Sequence, residues 1–191
     1  QQNTYESFIF AMKNYNIHNS VIVCISENLN SYLFNSLKHQ LHYFQANSIS
    51  QHDSIFKIMI HPLRDCPAGD EMEETIFSGT SSCISGIITV ANGENAFSYS
   101  IRNREITLYL SADSFDVIPY IQLAFSSIGK TFLHAAAIDF KGDIIIFPSI
   151  SGGVGKTALI GNLLKANPIF KMLGDDYVIV SSRGEVNAFP K

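Results

Sequence analysis

The chain has 191 residues, 46% of them hydrophobic and 16% charged, with a formal net charge of −4. Such a composition supports one good hydrophobic core, or a core with a smaller satellite domain. It carries none of the basic runs that nucleic acid or an anionic membrane surface demands. Apolar stretches such as 87–91 and 144–148 are too short to cross a bilayer.

In chain order, residues 5–12 read as a short helix and 21–26, rich in β-branched residues, as a strand. Leu29, Leu33, Leu37 and Leu41 repeat every four residues with Phe34 beside them, which predicts a helix that Asn28 or Asn30 can cap. A strand over 55–60 ends at Pro62. From Arg64 to Glu74 the Pro, Gly and acidic content predicts an exposed loop. Residues 85–90, 96–101 and 105–110 read as an antiparallel meander, with turns at Asn92-Gly93 and Asn103-Arg104. A helix is expected over 114–127, and Pro119 belongs near its start. Strands at 132–140 and 143–147 flank a tight turn at Lys141-Gly142; the run Ile144-Ile145-Ile146-Phe147 suits a strand buried on both faces. A helix from Lys156 to about Lys165 buries Leu159, Ile160, Leu163 and Leu164. Strands at 170–173 and 177–180 follow, the second turning at Arg183-Gly184 into 186–189.

Cys24, Cys66 and Cys83 are far apart and form no CxxC, which points to a reducing, cytoplasmic setting. No charged stretch followed by an apolar one opens the chain, so no secretory signal is read. The chain opens on Gln1-Gln2 and stops just after a strand, so it is expected to be a piece of a longer protein. His39 and His42 share a helical face as a metal pair would. Without a Cys or carboxylate motif beside them they read better as surface positions.

The chemistry concentrates in Ser149-Ile150-Ser151-Gly152-Gly153-Val154-Gly155-Lys156-Thr157, between a strand and a helix. That is the context a phosphate-binding P-loop requires. Glycines let backbone N–H groups turn onto phosphates, and the helix N-terminus adds free N–H groups and its positive dipole end. Ser151, Gly152, Gly153, Val154, Gly155, Lys156, Thr157 and Ala158 are therefore the expected nucleotide-binding residues. Lys156 supplies charge for the β- and γ-phosphates, and the Thr157 hydroxyl is placed for Mg²⁺. The usual spacing puts a first glycine at position 150, which here is Ile150. Either Gly152-Gly153 absorb the turn in a longer loop, or position 150 is not left-handed.

Asp175-Asp176 lies 19 residues beyond Lys156, at a predicted strand end next to the loop. Two adjacent carboxylates can divide two tasks, one holding Mg²⁺ and one taking a proton. The expected assignment is Asp175 for metal and Asp176 for base. Gly-Asp-Asp is also a common turn sequence, and a solvated turn is the alternative.

Residues 132–190 resemble the HPr kinase/phosphorylase family and its HPr-kinase-like relatives. The resemblance rests on Leu133-His134-Ala135-Ala136-Ala137, the turn at Lys141-Gly142, the strand that follows, Lys156-Thr157, Gly174-Asp175-Asp176-Tyr177-Val178 and Phe189-Pro190. It implies an α/β fold, α+β overall. Residues 129–191 would form a nucleotide domain like that of phosphoenolpyruvate carboxykinase, preceded by a β-rich region over 1–128. By the same likeness Lys156 and Thr157 match the loop lysine and hydroxyl, and Asp175 and Asp176 match the acidic pair. His134 matches the histidine before the P-loop strand, in a catalytic role. The expected function is ATP–Mg²⁺-dependent phosphoryl transfer to a hydroxyl, on the serine of a protein or peptide or on a small molecule. A nucleotide-binding module without turnover and a carboxykinase-type enzyme acting on a small acid are the rivals. The strand at the end, 186–189, offers an edge to a second copy of the chain.

Overall fold

The computed structural model describes residues 11–46, 56–66, 71–76, 79–84, 87–92, 95–102, 104–111, 115–149 and 155–190. It is a mixed α/β structure with two sheets and, among the described residues, three α-helices. It divides into two compact units, 1–117 and 118–191. The boundary lies one helix earlier than the 128/129 expected from the sequence. No described helix is long and apolar enough to cross a membrane.

The first unit opens with a hairpin. Strands β1 (Met12–Ile17) and β2 (Val21–Ser26) pair antiparallel around a turn in which His18 and Asn19 take positive φ, 50° and 51°. The Asn16 side chain holds the turn, accepting the Asn19 backbone N–H at 2.9 Å and donating to its side-chain oxygen at 2.8 Å. Asparagine tolerates left-handed backbone, so the turn forms without glycine or proline. The helix expected over 5–12 lies outside the described residues up to position 10, and Met12 already belongs to β1.

Helix α1 (Ser31–Leu41) is the one the leucine period predicts, with Leu33, Leu37 and Leu41 buried. Asn30 caps it, accepting the Leu33 N–H at 2.8 Å. Asn30→Ala is expected to cost about 1 kcal/mol, measured as a lower midpoint of denaturant unfolding. The Gln40 amide on α1 donates to the Phe115 carbonyl at 2.8 Å and accepts from the Val117 N–H at 3.3 Å, fixing the end of this unit.

Strand β3 (Phe56–Pro62) follows. Then come β4 (Glu71–Ile76), β5 (Gly79–Ile84), β6 (Ile87–Asn92), β7 (Asn95–Arg102) and β8 (Glu105–Ser111). The sheet order is β1-β2-β3-β8-β7-β6-β5-β4, parallel at β2–β3 and β3–β8 and antiparallel elsewhere. β3 and β8 alternate, burying Ile58 and Ile60, and Ile106 and Leu108. The meander is longer than the sequence suggests. The acidic stretch expected as loop contributes residues 71–74 to β4, because pairing with β5 satisfies its backbone whatever its side chains. Glutamates suit a strand at the end of a sheet, where charge discourages further pairing.

Cys24 on β2 packs with Ile22, Met12 and Met59. Burial pushes its thiol up to about 11, with Lys57 lowering it and Glu105 raising it less strongly. The thiolate is the reactive form. Iodoacetamide at neutral pH is therefore expected to label the half-buried Cys66 well before Cys24, and both once the chain is unfolded, as peptide mass spectrometry would resolve.

The second unit begins with α2 (Ile118–Ser127), where Pro119 stands second, as its missing N–H requires. Gly129, at φ 75°, turns the chain into the long strand β9 (Lys130–Phe140). β10 (Asp143–Pro148) folds back on β9 through Lys141 and Gly142, both at positive φ; Asp139 Oδ1 accepts the Gly142 N–H at 2.7 Å. After α3 (Lys156–Ala166) come β11 (Phe170–Gly174), β12 (Tyr177–Ser181) and β13 (Val186–Phe189). β9 is central, with β10 on one edge and both β11 and β12 along the other.

Two expectations fail here. β10 is not buried on both faces: Ile145 is 40% exposed, whereas its partner Ile138 is fully buried. β10 stands at the end of the sheet order, so its neighbours cover it from one side only. On α3 only Ile160 is fully buried, and Leu159 is 46% exposed. Ile160, with Leu163 and Leu164, packs on Ala136 and Ile138. The opposite face of β9 gathers Ala135, Ala137 and Val178 with Leu173, Ile144 and Ile146.

Candidate functional site

β10 and β11 are both antiparallel to β9 and so run in the same direction. Their carboxyl ends meet at one end of the sheet, where Pro148 opposes Ala135 and Gly174 opposes Ala137. β9 lies between them, so β11 is not the direct neighbour of the loop strand that the sequence suggests. Carboxyl ends of strands with a helix start beside them are where α/β sheets bind ligands.

The loop leaves β10 at Ser149, whose N–H donates to the His134 carbonyl at 3.0 Å. Ile150, Ser151, Gly152, Gly153 and Val154 lie outside the described residues. The chain enters α3 through Gly155, left-handed at φ 86°. A Cβ is strained there, which explains this glycine. Lys156 is the first helical residue and half-buried, and it makes no ion pair among the described residues. No acidic side chain of α3 itself lies in its first turn.

The decisive contact joins α3 to the acidic pair. Thr157 Oγ1 lies 3.0 Å from Asp175 Oδ1 and 3.1 Å from Oδ2. A hydroxyl and a carboxylate from distant parts of the chain thus converge at the helix N-terminus. Both are hard oxygen donors.

The other members of the pair and its surroundings separate. Asp176 is exposed. Its carbonyl accepts the Ala135 N–H at 3.1 Å, and Tyr177 pairs with His134. Those two residues are therefore in strand register, and the pleat turns the Asp176 side chain to the face opposite Asp175. This corrects the expectation that both carboxylates face the phosphates. The chain bends at Asp175-Asp176 without reversing, since β11 and β12 both run along β9. His134 is half-buried, its ring 5.4 Å from that of Tyr177, on the same face as Asp175 by the same register. Ala158 is exposed in the first turn of α3.

His39 and His42 do come together, with ring centroids 5.7 Å apart, but the His42 Nδ1 is engaged with the His39 carbonyl at 2.7 Å. Among the described residues no group of three or more His, Cys, Asp and Glu side chains could hold a metal. A Thr–Asp pair completed by phosphate and water oxygens is not such a group, and Mg²⁺ typically keeps several waters. Tyr177 is the site neighbour that sequence reasoning missed. Its signal was the aromatic residue directly after the acidic pair.

Comparison with protein-family models, curated proteins and solved structures gave no match.

Proposed function

We propose that the second unit is an HPr-kinase-like nucleotide domain, of the phosphoenolpyruvate carboxykinase type, that binds ATP–Mg²⁺ and transfers a phosphoryl group to a hydroxyl. The observation that carries this reading is the Thr157–Asp175 contact at the first turn of α3. In P-loop enzymes the helix hydroxyl and a strand-end Asp share the magnesium ion.

Each residue then has a physical task. The backbone N–H groups of the left-handed Gly155 and of the first turn of α3 donate to phosphate oxygens. Lys156 neutralises their charge. Thr157 and Asp175 are the residues that would hold Mg²⁺, which supplies charge stabilisation on the transferred phosphoryl group when bound. Catalysis in this class is mostly positioning and charge neutralisation. We assign the acceptor proton to His134, which shares the Asp175 face of the sheet, a task assigned from sequence to Asp176. The acceptor is a serine of a protein or peptide, or a small molecule.

The test is titration of the protein with ATP, with and without Mg²⁺, followed by mass spectrometry of hydroxyl acceptors incubated with both. Mg²⁺-dependent ATP binding with a phosphorylated acceptor supports the proposal. Binding without transfer by the full-length protein supports a nucleotide-binding module, and absence of binding removes the P-loop reading.

A further inference from the structure

β11 and β12 form one run along β9, interrupted by a single extra residue. Phe170, Lys171 and Met172 oppose Phe140, Asp139 and Ile138 in steady register. Gly174, not Leu173, then opposes Ala137. From there the register continues unbroken: Asp176 bonds to Ala135, Tyr177 opposes His134, and Ser181 opposes Lys130. Asp175 falls opposite Ala136, on the face that packs Ile160 of α3.

Without the extra residue in register, the alternation set by Phe170 and Met172 would carry Gly174 and Asp176 to the α3 face. A one-residue slip exchanges the two faces of a strand. We infer that the bulge at Leu173, with Gly174 beside it, selects Asp175 rather than Asp176 to meet Thr157, which makes Leu173 and Gly174 positioning residues of the site. Two residues opposing one must share a face at the bulge. Leu173 fills the apolar cluster of Ala135, Ala137 and Val178. A Cβ on Gly174 would already stand in van der Waals contact, 3.4 Å from both the Tyr177 carbonyl oxygen and Val178 Cγ1 and 3.5 Å from Ala188 Cβ, so the further carbons of a branched side chain would crowd them. A branched residue at 174 is therefore expected to drive the bulge further along the chain; 174 then opposes Ala136 and Asp175 leaves the α3 face.

The consequence for metal binding rests on the function proposed above; the register does not, and the test reads the register without nucleotide. In a background with Cys24, Cys66 and Cys83 changed to alanine, Thr157→Cys is combined with Asp175→Cys or with Asp176→Cys. Each pair is oxidised with diamide and mapped by peptide mass spectrometry. The expected disulfide forms in the Asp175→Cys pair and is absent in the Asp176→Cys pair; the reverse pattern overturns the inference. Adding Gly174→Val is expected to abolish the disulfide in the Asp175→Cys pair, and its retention in a folded Gly174→Val protein overturns the role of the bulge. Deleting Leu173 removes the bulge and one residue together, so the register beyond it is unchanged. That deletion is expected to keep the disulfide with Asp175→Cys, alone and combined with Gly174→Val. If Gly174→Val by itself does not fold, this rescue decides: crowding by Val178 and Ala188 alone would persist after the deletion, and failure of the double variant to fold overturns the inference.

Discussion

Lys156→Ala is expected to raise the Kd for ATP or ADP by about 10–100-fold. A hydrogen bond to a charged group contributes about 1.5–3 kcal/mol, and about 1.4 kcal/mol is tenfold in affinity. Lys156 opens α3, half-buried and without an ion pair among the described residues, so its charge is not already spent on a protein carboxylate. The helix terminus and Gly155 remain in the variant, so the loss measures the lysine and not the fold. Isothermal titration of both proteins checks it, and equal affinities would remove the phosphate loop from the account.

His134→Gln should lower turnover by about 10²–10⁴, the usual contribution of a positioned proton acceptor, with nucleotide affinity nearly unchanged. The glutamine keeps a polar side chain opposite Tyr177 but cannot take the proton. Asp175→Asn belongs to a different class. It weakens the carboxylate beside Thr157 and should raise the Mg²⁺ concentration needed for half-maximal activity. Asp176→Asn, on the other face of the strand, should change neither quantity. Mg²⁺ titrations of activity in the three variants separate these roles. A collapse of turnover in Asp176→Asn with His134→Gln unaffected would return the base to Asp176.

Much of this was legible from residue order alone. The leucine stripe of α1 announces its helix because a four-residue repeat aligns side chains on one face. Lys141-Gly142 announces the β9–β10 hairpin because a tight turn needs left-handed backbone, and both residues adopt it. Gly155-Lys156-Thr157 after a strand marks the start of α3 and the expected phosphate site. These signals are local, and local chemistry suffices to produce them.

Other features depend on residues that meet only in the folded chain. β4 is a strand because β5 lies beside it, although its sequence resembles a loop. β10 is apolar like a central strand, yet its place at the sheet's end leaves Ile145 half open. Above all, the order of Asp175 and Asp176 says nothing about which reaches Thr157. Side chains alternate along a strand, so the choice turns on a register set against β9 and shifted by one residue at Leu173. The sequence by itself determined that a loop lysine, a hydroxyl and an acidic pair exist at a spacing that can converge. Only the pairing of three strands decided that one carboxylate meets the helix and the other turns away, because register is a property of neighbours far apart in the chain.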